Sequence, residues 1–112
     1  MTTLVILASK RREKLMGSES FEAIYRNQLG KGYGIFEGDV DRLRSDPKAR
    51  VVLLRNDGIP KRAEGQLVEL EWTGNEARPG VWRYDVKIQG LRNVPYIRID
   101  FTGFRLGVKV LD

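Results

Sequence analysis

The chain has 112 residues, a formal net charge of +5, and neither cysteine nor histidine. The length fits one domain with one hydrophobic core, and we expect residues 1–112 to form it. The missing residue types exclude disulfides, zinc sites built from Cys or His, and the Ser-His-Asp and Cys-His catalytic triads. The basic excess favours an anionic partner, first of all nucleic acid, although the same charge can serve solubility alone.

The apolar runs of the chain bear on the location of the protein in the cell. A membrane-spanning helix needs roughly 20 apolar residues, and the longest apolar run covers only residues 4–8. In a signal peptide the basic group precedes the apolar run, whereas Lys10, Arg11 and Arg12 follow it here. The sequence therefore predicts a cytoplasmic protein that contacts no membrane.

The first quarter of the chain predicts a strand followed by a helix. Residues 2–8 are β-branched and apolar throughout, which is typical of a strand buried on both faces. Ser18 or Ser20 can cap a helix over residues 19–29, and Gly30 suits the left-handed position that ends it. The helix carries an apolar stripe at i, i+3, i+4 and i+8 spacing, formed by Phe21, Ile24, Tyr25 and Leu29.

The second quarter is rich in turn signals. Residues 30–38 contain closely spaced glycines and predict a loop. Asp39 is placed to cap a short helical turn over residues 40–44. Residues 50–55 form an apolar segment that predicts a strand, and the Asn-Asp-Gly sequence at 56–58 predicts a hairpin turn after it.

Residues 61–90 predict the two-stranded ribbon around which the fold is organised. Gly65 marks a bulge or sharp bend in its first strand, and residues 74–80 form the loop at its tip. Apolar and polar residues alternate along both strands, so one face of the ribbon is expected to face the core. The inward residues are Val68, Leu70 and Trp72 in the first strand and Trp82, Tyr84, Val86 and Ile88 in the second.

The last part of the chain predicts a connection and two more strands. Residues 91–96 form the connection, and apolar alternation continues over residues 97–101 and 104–110. The fold class is therefore mainly β (α+β): a small, six-stranded, open or closed β-barrel with one amphipathic helix and a short helical turn. Closure or near-closure would hide the strand edges.

The candidate binding residues are basic side chains with an aromatic partner. Lys31 and Tyr33 place a cation beside a ring that can stack on a base, and of the two aromatics in this segment Phe36 is expected to be the more buried. The segment has no phosphate-loop motif. The full candidate set is Lys10, Arg11, Arg12, Lys14, Lys31, Tyr33, Arg55, Lys61, Arg62 and Arg92. Whether these residues form one patch or are scattered, solvated charges stays open.

Two sets of acidic residues suggest less favoured chemistry. Glu37, Asp39 and Asp41 alternate and could bind a hard cation. Asp85 and Lys87 have the D-x-K spacing of restriction-type nucleases, with Glu69 or Glu71 on the neighbouring strand; simple cross-strand pairing of these charges is the favoured interpretation. We therefore predict no cofactor, no metal and no catalytic residue.

The chain has a helix and a glycine-rich segment, followed by ARVVLLRND and by the glycine-bearing strand KRAEGQLVEL. These features resemble the PUA-like superfamily of PUA, ASCH and EVE domains. The resemblance covers roughly residues 18–72. It implies a pseudo-barrel that binds RNA or modified bases in a cleft between helix and barrel. The expected function is thus non-enzymatic binding of RNA or single-stranded nucleic acid in a basic cleft. The alternatives are a protein-interaction or accessory barrel and a metal-dependent nuclease.

Overall fold

Six strands and two helices make up the computed structural model, which describes residues 1–8, 20–56, 58–98, 102–104 and 107–112. In chain order they are β1 (Thr3–Leu7), α1 (Phe21–Asn27), β2 (Leu29–Phe36), α2 (Glu37–Arg44), β3 (Arg50–Arg55), β4 (Lys61–Arg78), β5 (Val81–Val94) and β6 (Val108–Leu111). These elements confirm the predicted mainly β fold with six strands, one amphipathic helix and a short second helical segment.

The strands form one curled sheet in the order β2-β5-β4-β3-β1-β6. β1 and β3 pair in parallel, and the other neighbours pair antiparallel. Among the described residues no hydrogen-bonded register joins the edge strands β2 and β6, so the sheet is an open half-barrel. The prediction left open and closed barrels as alternatives, and the structure has the open form.

The sheet carries apolar side chains on both faces at its centre. Leu4 and Ile6 of β1 are fully buried in the main core, together with Ile24 of α1 and Leu43 of α2. Val5 points the opposite way, into a second cluster with Val52 and Leu54 that Tyr96 and Phe104 help to cover. This arrangement confirms that the first strand is buried on both faces.

Helix α1 (Phe21–Asn27) is shorter than the helix predicted over residues 19–29. The Oγ atom of Ser20 accepts a hydrogen bond from the backbone N–H of Ala23 at 3.1 Å, which confirms Ser20 as a cap; Ser18 lies outside the described residues. The left-handed residue at the end is Gln28, with φ of 54°, so the prediction of Gly30 for this position is wrong. Gln28 is held there because its side chain donates to the Tyr25 carbonyl and accepts from the Leu91 N–H.

The glycine-rich residues 30–38 form strand β2 and the start of α2, so the predicted loop is wrong. β2 pairs with β5, and its register shifts between Gly30 and Tyr33 around Gly32, whose φ is +68°. Two side chains of β5 fix this bulge, because Asp85 accepts from the Gly32 N–H at 2.9 Å and Arg83 donates to the Gly32 carbonyl at 2.8 Å. Glycine lets the backbone adopt the bulge without excluding the segment from the sheet.

The ribbon of β4 and β5 is longer than predicted. β4 continues to Arg78 and β5 runs on to Val94, so residues 74–80 are mostly strand and residues 91–94 are not a connection. The predicted irregularity at Gly65 is confirmed, since the β4–β5 register shifts between Glu64 and Gln66. A Cβ atom on Gly65 would lie only 2.9 Å from the Gln89 carbonyl oxygen, so the backbones approach closely here.

Two apolar residues of β4 are turned to solvent against prediction. Val68 and Trp72 are each 54% exposed, whereas Leu70 between them is 3% exposed. Val68 has no register partner because the β4–β5 pairing shifts between Leu67 and Glu69, and this bulge changes the direction of its side chain. The face predicted for β5 is confirmed, since Tyr84, Val86 and Ile88 are buried and Trp82 is partly buried.

Two further boundaries differ from the prediction. α2 begins at Glu37, so Asp39 lies inside its first turn, where it pairs with Arg42 at 2.9 Å, and does not cap the helix. Of the strand predicted over 97–101, the described residues 97 and 98 are not in a strand, and residues 99–101 lie outside the described part. Phe104 likewise precedes the last strand, β6.

Candidate functional site

A cleft of about 410 Å³ opens between helix α1, the start of β4 and the end of β5. Its volume lies within the range of about 300–1,000 Å³ that is usual for small-ligand sites. It is lined by Phe21, Glu22, Tyr25, Pro60, Lys61, Arg62, Asn93, Val94 and Tyr96. The cleft thus combines three aromatic rings, two cations, one carboxylate and one amide.

The aromatic wall of the cleft is built by α1. Phe21 and Tyr25 are four residues apart and therefore lie on one face of the helix. Their rings stack with centroids 6.2 Å apart and planes 10° from parallel, and the Lys61 Nζ atom lies 5.7 Å from the centroid of Phe21. Tyr96 comes from the segment that covers the outer face of the sheet. Tyr25 and Tyr96 are both half-buried and can offer ring surface to a ligand.

One carboxylate joins α1 to the β3–β4 hairpin. The Glu22 Oε1 atom accepts from Arg55 Nη1 at 3.0 Å and from Lys61 Nζ at 2.8 Å. These cations lower the pKa of Glu22 below its ordinary value, chiefly through the hydrogen bond from Lys61. Glu22 therefore stays ionised at neutral pH and compensates part of the charge of Arg55 and Lys61.

Arg62 is the cation of the cleft with the least satisfied side chain. Its side chain is only 15% exposed, and its buried Nε atom has no hydrogen-bond partner among the described residues. The Glu64 carboxylate lies 3.5 Å from that atom, close enough for ion pairing but not for a well-formed hydrogen bond. Buried polar atoms are almost always satisfied, and Arg62 lines the cleft, so its guanidinium is a candidate contact for an anionic ligand.

The structure brings together some of the predicted residues and separates others. Lys61 and Arg62 line the cleft, and Arg55 is joined to it through its ion pair with Glu22. Lys31 lies on β2 and Arg92 on β5; both are exposed, and neither lines the cleft. The remaining candidates, Lys10, Arg11, Arg12 and Lys14, lie outside the described residues.

The stacking role predicted for Tyr33 is wrong. Its side chain is 4% exposed and belongs to the main core, because β2 is a strand whose inner face carries both Tyr33 and Ile35. The expected order of burial is also reversed. Phe36 is only partly buried, and its ring packs under the Arg78 guanidinium at 5.6 Å.

The sequence pattern does not reveal the cleft-facing side of α1. Its apolar spacing places Phe21 and Tyr25 together on one stripe of the helix. Only the sheet shows that Tyr25 lies at the margin of the core, where one side of the ring remains open. In the sequence, the aromatic pair at i, i+4 spacing and the basic hairpin could have indicated the cleft. No feature of the sequence indicated that Asn93 lines it.

The acidic residues are engaged in structural contacts. Asp39 pairs with Arg42, and no group of three or more Asp or Glu side chains in the described part of the chain is placed to hold a metal ion. Lys87 contacts Glu71 at 2.6 Å and Glu69 at 3.4 Å, which confirms the predicted cross-strand pairing, while Asp85 accepts from Gly32. The nuclease interpretation stays a prediction that no contact favours.

Within the described residues no helix has both the length and the apolar character needed to cross a membrane. No protein-family model, curated protein or solved structure matches this chain.

Proposed function

We propose that this protein is a non-enzymatic nucleic-acid-binding domain that holds RNA or another single strand in the cleft beside α1. The observation that carries the proposal is Arg62, an 85% buried cation at an aromatic cleft whose Nε atom has no hydrogen-bond partner among the described residues. A phosphate in the cleft would accept charge-assisted hydrogen bonds from the guanidinium of this cleft-lining residue.

The remaining groups of the cleft fit the rest of a nucleotide. Tyr25 and Tyr96 are half-buried rings on which a base can stack, and stacking tolerates any base because every base has a π-face. Asn93 offers an amide that can donate to and accept from a base edge. A sequence-tolerant cleft for single strands is therefore the best match to these side chains.

The charges of the cleft set the expected strength of binding. Glu22 compensates part of the charge of Arg55 and Lys61, and Glu64 lies 3.5 Å from Arg62, so the cleft should neutralise few phosphates. Single strands lose affinity with a slope of about 0.7 in log K against log salt for each neutralised phosphate. The salt dependence of binding should accordingly be modest for a basic protein.

The resemblance to PUA-like domains supports the same location. It implies binding between the helix and the barrel, and the cleft lies between α1 and the ends of β4 and β5. The family itself stays a prediction.

The test is a comparison of two charge-removing variants. Arg62→Met keeps an apolar stem in the cleft, and Lys48→Met removes an exposed cation from the turn between α2 and β3. Fluorescence anisotropy with a labelled 12-nucleotide single strand should show weaker binding and a salt slope reduced by about 0.7 for Arg62→Met only. Equal affinities and slopes for wild type and both variants would refute the proposal.

A second candidate function is peptide binding in the same cleft. The observation that favours it is apolar exposure beside the lining residues: Ile59 is 74% and Ile97 60% exposed, and they adjoin Pro60 and Tyr96 in sequence. A peptide held by these apolar groups would bind with little dependence on salt. Binding of an apolar peptide library at high salt, with no binding of single strands, would select this function over the first.

A further inference from the structure

A second aromatic site lies toward the other end of the β4–β5 ribbon. Trp72 is 54% exposed, and it is the one aromatic residue of the described part of the chain that is mostly open to solvent. Its ring meets Trp82 edge to face, with centroids 5.8 Å apart and planes at 86°. Trp82 is partly buried against the core, so it packs between the core and the exposed Trp72 indole.

Two arginines lie near this end of the ribbon. Arg44 of α2 lies 5.4 Å from the centroid of Tyr84, the register partner of Trp72, and its Nη2 atom donates to the Leu70 carbonyl at 2.9 Å. Arg78 pairs in register with Val81 and packs over Phe36 at 5.6 Å, on the face opposite to Trp82 because successive residues of a strand point to opposite faces. Both arginines are exposed, and a guanidinium has five N–H donors, so each has donors to offer to a phosphate.

From this arrangement we propose that Trp72, Trp82 and Arg44 form a platform that binds single-stranded nucleic acid, with one base stacked on Trp72. The platform uses the same class of ligand as the proposed function, but its argument rests on other residues. Aromatic stacking beside backbone-tracking cations is the usual design of sites for single strands.

The surroundings of Trp72 favour a nucleic acid over a protein partner. Exposed tryptophan and arginine also occur at the centres of protein interfaces, but there they lie in an apolar patch. Here the exposed neighbours along β4 are polar: Glu71, Thr73, Asn75 and Glu76. A single exposed ring among polar groups suits a base, whereas a protein interface needs a wider apolar centre.

The platform is distinct from the cleft beside α1. Arg62 and Trp72 are ten residues apart on β4, and no residue of the platform lines the cleft. One local acidic group opposes the platform, because Glu76 is exposed and pairs in register with Trp82. Its removal should therefore strengthen binding.

The test uses fluorine NMR on the native sequence. The full chain is labelled with 5-fluorotryptophan, which gives one signal for each of its two tryptophans, and is titrated with a 12-nucleotide oligothymidylate at low salt. Trp82→Phe assigns the signals. The proposal predicts that the Trp72 signal moves and saturates with the oligonucleotide.

Matched variants test the roles of the individual groups. Trp72→Ala should raise Kd roughly tenfold, and Trp72→Phe only slightly because a ring remains. Arg44→Gln should weaken binding and Glu76→Gln should tighten it. Val68→Ala, at an equally exposed apolar residue of β4, should leave Kd unchanged.

The outcomes separate this proposal from the proposed function. A Trp72 signal that stays fixed while amide signals at the α1 cleft move would overturn the platform and leave the cleft in place. Movement of Trp72 alone would keep the platform and overturn the cleft. Absence of any binding would overturn the platform. A Trp72 signal that changes with protein concentration before oligonucleotide is added would also overturn it, because a second copy of the chain would then cover Trp72.

Discussion

Replacing Gly65 by alanine tests the close approach of β4 and β5. An alanine Cβ would lie 2.9 Å from the Gln89 carbonyl oxygen and 3.1 Å from both Ile88 Cγ2 and the Leu91 N atom. Two of these three atoms are backbone, so they cannot move aside by a rotamer change. Overpacking of a well-filled core costs about 1–3 kcal/mol, and backbone neighbours place Gly65→Ala in the upper part of that range.

Gly38 provides a matched control with the opposite sign. It lies in α2, and a Cβ there meets no atom within 4 Å. Gly38→Ala should stabilise the protein by about 0.5 kcal/mol, because alanine reduces the entropy of the unfolded chain and favours the helix. Both variants are compared with wild type by urea unfolding. If Gly65→Ala unfolds at the same urea concentration as wild type, the close approach of the two strands is wrong.

Two further predictions concern α1. Ser20→Ala should destabilise the protein by about 1 kcal/mol, since the Ala23 N–H loses its cap, and thermal unfolding would show this; an unchanged Tm would contradict the cap. Glu22→Gln tests the pH dependence of the free energy of unfolding. Because Lys61 lowers the pKa of Glu22 below 4.5, the stabilisation by its carboxylate is present above pH 4.5 and is lost as the pH falls through the lowered pKa. For this half-exposed group, wild type and Glu22→Gln should differ in stability by at most about 1 kcal/mol. Urea titrations should show this difference shrinking below pH 4.5. A difference independent of pH would contradict the role given to the Glu22 carboxylate. The same variant should bind single strands more tightly, because Arg55 and Lys61 lose their compensating charge.

The sequence pattern predicts those parts of the fold in which local and tertiary preferences agree. β3 has the predicted bounds, Arg50–Arg55, because a short apolar run between turn signals has one stable placement. Ser20 was predicted as a possible cap because capping depends on atoms within one helical turn. The inward face of β5 follows in the same way from strict alternation of apolar and polar residues.

The errors arise where a distant partner decides the conformation. β2 was predicted as a loop from its glycines, and it is a strand because Arg83 and Asp85 of β5 bind the backbone of Gly32. Val68 was placed inward by alternation, and a bulge in the β4–β5 register turns it outward. Neither the partner strand nor the bulge is visible in the local sequence.

The site was predicted in part for the same reason. Arg55, Lys61 and Arg62 are close in sequence around one hairpin, so their proximity could be expected. The aromatic wall formed by α1 could not be expected from the sequence, because it depends on how the helix packs on the sheet. The burial of Tyr33, which removes it from the site, likewise follows from strand pairing between β2 and β5.

The most direct test of the proposed function is an NMR titration of the ¹⁵N-labelled protein with a mixed-sequence single-stranded RNA at low salt. We expect the amide signals of Lys61, Arg62 and Asn93, and those of the first turn of α1, to shift and to return toward their free positions as salt is added. Unchanged signals at these residues, with RNA in excess at low salt, would contradict a nucleic-acid site in the cleft beside α1.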